Sequence, residues 1–294
     1  MSFFVMFVCS LVQSITEFLP VSSFGHIILI LQLWGLEEVN GIRFAVMLHA
    51  GTALAVLVTF RKDFLHILSE TLGLTVDGIS NLYLYHHNRK SKEADIPYRR
   101  FITGTWRRLT LLIWISFLPT CLIGYLGRNL VPLSVSSPLL PGCFTLISGI
   151  FLLVLDLGQV GESKAITEAS SDSAAWLGIC QGLAIFPGLS RSALTISAGL
   201  LTGLGRKFVV KFSYLMSVPA VAAALTLDMI QSEGSFFPPQ QAGFYIGGMF
   251  LSFLMGMFLI RFLLRISQTA KLRWFAIYSF LMGAVSLAVN YAGK

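Results

Sequence analysis

The sequence predicts an all-α polytopic membrane protein: about six transmembrane helices plus two re-entrant helix–break–helix segments, related as an inverted repeat. Three observations predict it. Hydrophobic residues make up 55% of the 294 positions, and the mean hydropathy is +0.77. Charged residues make up only 12%, about half of the roughly 25% found in water-soluble domains, which excludes soluble, disordered and collagen-like classes together. Long stretches without charge recur along the chain, as crossing about 30 Å of hydrocarbon demands.

Six segments, 41–60, 109–127, 139–157, 209–228, 241–260 and 274–291, are long and apolar enough to span, which takes about 17–25 residues. Two other regions are apolar but interrupted. Met1–Val12 and Ile27–Leu36 flank the polar stretch Gln13–His26, which contains Pro20; Ala174–Phe186 and Leu194–Leu204 flank Pro187–Ser192. Each arm is too short to cross alone. A re-entrant pair of half-helices is the expected form, tolerated at membrane depth only where it lines a protein cavity. The cysteines Cys9, Cys121, Cys143 and Cys180 stand singly in apolar segments and read as small core hydrophobes. The amino terminus has no basic stretch ahead of its apolar run, so it does not read as a cleaved signal.

Lysine and arginine positions set the orientation. Residues 61–108 carry nine, residues 204–211 carry Arg206, Lys207 and Lys211, and residues 261–273 carry Arg261, Arg265, Lys271 and Arg273. The opposite loops, 128–138 and 229–240, carry only Arg128. The basic loops are therefore expected in the cytoplasm, with both termini outside. Loop 158–172 is also expected inside, although Lys164 is its only basic residue beside Glu162, Glu168 and Asp172. The net charge of +7 then reflects basic loops beside anionic lipid, and no nucleic-acid partner is expected. Within the long loop, Phe64–Tyr85 has the pattern of an interfacial amphipathic helix, and His66, His86 and His87 read as solvated. Arg43, Asp156 and Asp228 lie near span ends, where they are expected to reach the headgroups; His49 lies within a span.

A shift of 168 aligns Gln13 with Gln181, Phe18 with Phe186, Ser22 with Ser190, Phe44 with Phe212 and Leu57 with Leu225, without a gap. A single integral domain, 1–294, with halves of about 1–160 and 173–294, follows. Each half holds one re-entrant segment and three spans, and three being odd, the halves are inverted. Such repeats place a polar site near the midplane.

The two breaks carry the chemistry. In the first, Gln13 and Glu17 share a helix face, Pro20 stops that helix, Ser22 or Ser23 can cap the next, and Ser23 and His26 are three apart with Gly25 between them. In the second, Pro187 and Gly188 stop one helix, Ser190 and Ser192 can cap the next, and Arg191 and Thr195 are four apart. Two half-helix starts aimed at one cavity make an anion site. Arg191 adds a planar charged fork suited to phosphate oxygens. Ser23 with His26 offers a nucleophile and a base, and Glu17 can orient the histidine or hold a cation. A phosphate or diphosphate is the natural occupant. The bland alternative is a structural Glu17–Arg191 pair between the repeats, because buried charges usually pair; it leaves the surrounding hydroxyls and glycines unexplained. No Gly-x-x-x-x-Gly-Lys-Ser/Thr, His-Glu-x-x-His or Gly-x-Ser-x-Gly motif occurs.

These motifs, Gln13–Glu17, Pro20–His26 and Pro187–Thr195, resemble the undecaprenyl-diphosphate phosphatases of the bacitracin-resistance type. The resemblance extends over nearly the whole chain, including Phe-Ser-Tyr-Leu at 212–215 and Phe-Ala-Ile-Tyr at 275–278. It implies hydrolysis of undecaprenyl diphosphate to the monophosphate and phosphate, recycling the peptidoglycan carrier lipid and conferring bacitracin resistance. It also implies a bacterial inner membrane, a site open to the periplasmic side, a divalent metal ion (Mg2+ or Ca2+), and polyprenyl diphosphate and the bilayer as partners, and it allows a homodimer. By position, the family's catalytic residues fall on Glu17, Ser23, His26 and Arg191, its diphosphate-binding groups on Gln13, Ser22, Gly188, Ser190, Ser192 and Thr195, and its metal ligand on Glu17. One departure is Gln13, where many members have glutamate, so Glu17 is the motif's only acid. A transporter or flippase of the lipid phosphate, using the same cavity, is the rival reading.

Overall fold

The computed structural model describes residues 2–35, 38–90, 96–158, 168–231 and 239–292. Among them the regular structure is helical: α1 (Phe3–Thr16), α2 (Ser23–Leu33), α3 (Glu38–Thr59), α4 (Arg61–Lys90), α5 (Thr105–Gly127), α6 (Val131–Val135), α7 (Leu139–Leu157), α8 (Ser171–Leu183), α9 (Arg191–Leu201), α10 (Arg206–Gln231), α11 (Pro239–Thr269) and α12 (Leu272–Ala292). Six helical stretches are long and apolar enough to cross a membrane, in the six predicted places. Their ends differ from the sequence expectation. Residues 261–273 read as a basic loop, yet α11 runs on to Thr269. Phe262, Leu263 and Leu264 continue the apolar pattern between Arg261 and Arg265, and Ile266 follows; long arginine stems reach polar surroundings without the helix ending.

The repeat is visible in the helix bounds. Moved by 168, the first and last residues of α2 coincide with those of α9, and the starts of α1 and α3 coincide with those of α8 and α10. Capping repeats too: Ser22 Oγ accepts from the Gly25 N–H at 3.3 Å, and Ser190 Oγ from the Ala193 N–H at 3.2 Å. The four helices of the two breaks, each too short to span, form two broken pairs, α1/α2 and α8/α9. The long helices surround them: α1 packs on α11, α8 on α5, α3 on α11 and α7 on α12. Gly51 makes one such approach possible, since a Cβ there would stand 2.2 Å from the Met249 carbonyl oxygen.

The predicted amphipathic segment is α4. Leu65, Leu68, Leu72, Val76, Ile79 and Tyr83 form an exposed stripe at helical spacing, while Arg107 of α5 holds Glu70 and Asp77 on the other face. His66 is exposed and stacks on Trp106 at 4.5 Å. The span-end charges pair with each other rather than stand alone: Arg43 Nε lies 3.7 Å from Asp228, and Arg273 Nε 2.5 Å from Asp156. The four cysteines are free thiols. Most of loop 158–172, including Lys164 and Glu162, lies outside the described residues.

Candidate active site

Both breaks fold as their residues dictate. Pro20 and Pro187 lack the N–H that a continuing helix needs. After Pro20, Ser22 takes a left-handed φ of 47° before α2 begins, a conformation costing roughly 1–3 kcal/mol in a non-glycine residue and concentrated at functional sites. After Pro187, Gly188 has φ 98°, and a Cβ there would lie 2.2 Å from the Pro141 carbonyl oxygen, so only glycine fits. The breaks touch: a Cβ on Gly25 would meet Gly188 Cα at 3.0 Å. Ser192 donates to the Leu19 carbonyl at 2.9 Å and Tyr214 to the Phe18 carbonyl at 2.7 Å, tying the second half to the first break.

A cavity of about 400 Å³ opens at this junction. Glu17, Ser22 and Ser23 line it from the first break, Ser190, Arg191 and Ser192 from the second, and His49 from α3. Its remaining wall is mostly apolar, with Ala220, Ala223 and Ala224 of α10 along one side, while Thr120, Gln181 and Ser217 add polar groups.

Glu17 is the hub. Its Oε1 accepts from Arg191 Nη2 at 2.9 Å, and its Oε2 accepts from Ser23 Oγ at 2.6 Å and from Gln13 Nε2 at 3.1 Å. The Glu17 side chain is 8% exposed and that of Arg191 16%. Arg191 is fixed from behind: its Nη1 donates to the Ser213 carbonyl at 3.0 Å and to Ser213 Oγ at 3.1 Å, and its guanidinium carbon lies 5.4 Å from the Tyr214 ring centre. The pair expected on the bland reading thus exists, but on the wall of a cavity with a serine hydroxyl attached.

Not every predicted residue faces the cavity. Thr195 donates to the Arg191 carbonyl at 2.8 Å and sits 2.6 Å from Ser213 Oγ, behind the arginine. Gln13 lies behind Glu17 and also reaches Thr52 at 3.3 Å. Gly188 shapes the break. His26 is turned away from the cavity: its Nδ1 lies 2.7 Å from the Ser22 carbonyl oxygen, and its Nε2 2.8 Å from the Tyr278 hydroxyl, with the two rings stacked at 5.6 Å. Three-residue spacing from Ser23 does not bring the two together, because Ser23 bends back into the break while His26 is captured by α12. The imidazole beside Ser23 belongs instead to His49, 3.2 Å away. Sequence spacing hid it, since α3 approaches through space; its one signal was an ionisable residue inside a span.

A divalent ion does not fit this arrangement. Among the described residues no group of three His, Cys, Asp or Glu could hold one. Glu17, the sole acid, already has donors on both oxygens, and Gln13 offers it an amide N–H₂.

Comparison with known sequences decides the family. The sequence model of the bacitracin resistance protein BacA matches residues 6–285. The chain belongs to the BacA family. Similar relatives named undecaprenyl-diphosphatase include one from Carboxydothermus hydrogenoformans, 32% identical over the whole of both chains. Another, from Desulfosudis oleivorans, is 35% identical over 96% of this chain and 97% of its own. A third, from Rubrobacter xylanophilus, is 34% identical over 95% of this chain and 94% of its own. This BacA-family chain and its relatives therefore correspond over nearly their full lengths, with both breaks inside the matched region.

Proposed function

We propose that this BacA-family chain hydrolyses undecaprenyl diphosphate to undecaprenyl phosphate and inorganic phosphate in a bacterial inner membrane. The relatives' shared name supports the reaction, and the site supports a route. The observation that carries it is the Ser23 hydroxyl held 2.6 Å from a carboxylate that is itself tied to Arg191. A diphosphate entering the cavity meets Arg191 and the starts of α2 and α9, where free N–H groups and the helix dipoles favour negative charge. Ser23 attacks the terminal phosphorus, in line with the bridging oxygen, and Arg191 offsets charge on the equatorial oxygens. Water then releases phosphate from the serine.

The isoprenoid tail stays in lipid and enters sideways along α10. The basic α4 and the Arg206–Lys211 start of α10 lie in the cytoplasm, the broken pairs re-enter rather than span, and both termini and the cavity mouth lie on the periplasmic side. In this arrangement the site takes substrate from the outer leaflet.

Purified protein in detergent tests the reading. Wild type should release phosphate from a polyprenyl diphosphate, and folded Ser23→Ala and Arg191→Ala variants should not. Wild type that binds the lipid and releases no phosphate would support the transporter instead. Trapping a phosphoenzyme labelled on histidine would overturn Ser23 as nucleophile.

A further inference from the structure

We infer that His49 is the base that takes the Ser23 proton, a role that rests on the diphosphatase reading. Its Nε2 lies 3.2 Å from Ser23 Oγ and 3.4 Å from Glu17 Oε2. Its Nδ1 lies 2.8 Å from the Ala45 carbonyl oxygen one turn earlier in α3. A carbonyl only accepts, so Nδ1 carries the hydrogen, and in the neutral ring Nε2 presents its lone pair to the serine. The Phe24 ring stands edge-on to the imidazole at 6.0 Å and 82°, fixing its plane. His49 also lines the cavity, where a reacting phosphate would sit.

The other groups near Ser23 serve less well. Gln13 carries an amide and takes up no proton. His26 has both nitrogens engaged elsewhere. Glu17 is closest, but its negative charge holds Arg191; protonating it would release the arginine just when the phosphate needs it. Rotating the serine hydroxyl about its C–O bond redirects its single hydrogen from Glu17 to His49 Nε2 without moving either side chain. Glu17 then faces the imidazolium that forms, as an orienting carboxylate does in serine hydrolases.

The step balances. The Ser23 O–H bond breaks and its proton goes to His49 Nε2. The Oγ–P bond forms as the bridging P–O bond breaks, and polyprenyl phosphate leaves with the bridging oxygen. The proton passes to that leaving group or to solvent. His49 next takes a proton from the attacking water as the water oxygen bonds to phosphorus; the Oγ–P bond breaks, His49 returns that proton to Ser23 Oγ, and inorganic phosphate departs.

His49→Gln tests this, being close to histidine in size and able to hydrogen-bond, yet unable to act as a base. In a folded H49Q protein, kcat should fall about 10²- to 10⁴-fold, the usual contribution of a positioned base, with KM changed by less than about threefold. In H49A, added imidazole should restore turnover in proportion to its concentration, through the space left in the cavity wall. A folded H49Q with kcat within about threefold of wild type, or a folded H49A indifferent to imidazole, overturns the assignment of His49 and leaves the diphosphatase reading intact. Wild type without phosphate release overturns both.

Discussion

Arg191 Nη2 donates to Glu17 Oε1 at 2.9 Å across 174 residues of chain, so the arginine of one break and the carboxylate of the other form a single unit. Neither half of the repeat is electrically complete without the other. Removing one partner leaves a buried charge, a loss of about 3–5 kcal/mol, whereas removing both leaves none. Glu17→Gln and Arg191→Ala should each lower thermal stability, and the double variant should be less destabilised than the two single losses combined. A coupling above about 1 kcal/mol is expected for groups in direct contact. Additive losses would mean that the pair does no structural service. Arg191→Lys should also lose most activity while keeping the charge, because lysine cannot hold Ser213 and Glu17 together and still present a fork to phosphate.

The parts of this site that lie in the two motifs were legible in the sequence. Proline, glycine and serine act on the nearest backbone, so the breaks and a serine cap on the helix after each follow from spacing alone, while the structure selects Ser22 over Ser23 and Ser190 over Ser192. Glu17 and Arg191 were legible through their rarity inside apolar sequence. The partners of His49, Ser213 and Tyr278 were not, because each reaches its partner from another helix and no local spacing encodes that approach. His26 shows the converse: its three-residue spacing from Ser23 suggests a base beside the nucleophile, yet the Tyr278 hydroxyl on α12 captures the ring. The extent of α11 was missed because arginine looks like loop in a charge count, although apolar residues between Arg261 and Arg265 continue the helix.

Gly188→Ala should disable the site without touching any group that lines it. A left-handed conformation costs a residue with a Cβ about 1–2 kcal/mol, and the added methyl would lie 2.2 Å from the Pro141 carbonyl oxygen. Relief requires the break to move away from α7, which pulls Ser190 N off Ser148 Oγ, now 2.9 Å away. A lower melting temperature together with reduced kcat is the expected outcome. An unchanged melting curve would show that the break is not held against α7.

The junction of α4 with α5 should loosen in acid. Hydrogen bonds from Arg107 and then Arg99 hold the Asp77 carboxyl below the usual carboxylate range. A group depressed in this way contributes stability that is fully present above its unfolded value, about 3.9, and is lost as pH falls through the lower folded value. Pepsin cutting within residues 61–90, taken relative to an unfolded substrate at the same pH, should therefore be slow at about pH 4.5 and faster at about pH 2. Asp77→Asn, which keeps the shape and loses the charge, should be cut at similar rates at both. A wild type cut equally at the two pH values would show that these arginine contacts do not hold α4 in place.

The α10 wall of the cavity predicts how the lipid is recognised. Ala220, Val221, Ala223, Ala224 and Leu227 of α10 line the same space as Ser23 and Arg191, and Ala45 and Val46 of α3 join them. Small apolar side chains in a row leave width for a branched hydrocarbon and offer it no hydrogen bonds, so this wall suits the tail while the breaks suit the diphosphate. Ala224→Phe would fill part of the tail's path and leave the phosphate contacts alone. For undecaprenyl diphosphate, kcat/KM should fall by about tenfold or more, roughly 1.4 kcal/mol of lost transition-state stabilisation. For a diphosphate with a five-carbon tail, too short to run along α10, the change should stay within about threefold. Equal losses on both substrates would mean that the phenylalanine disturbs the phosphate end, and the tail would then have to leave the cavity by another wall.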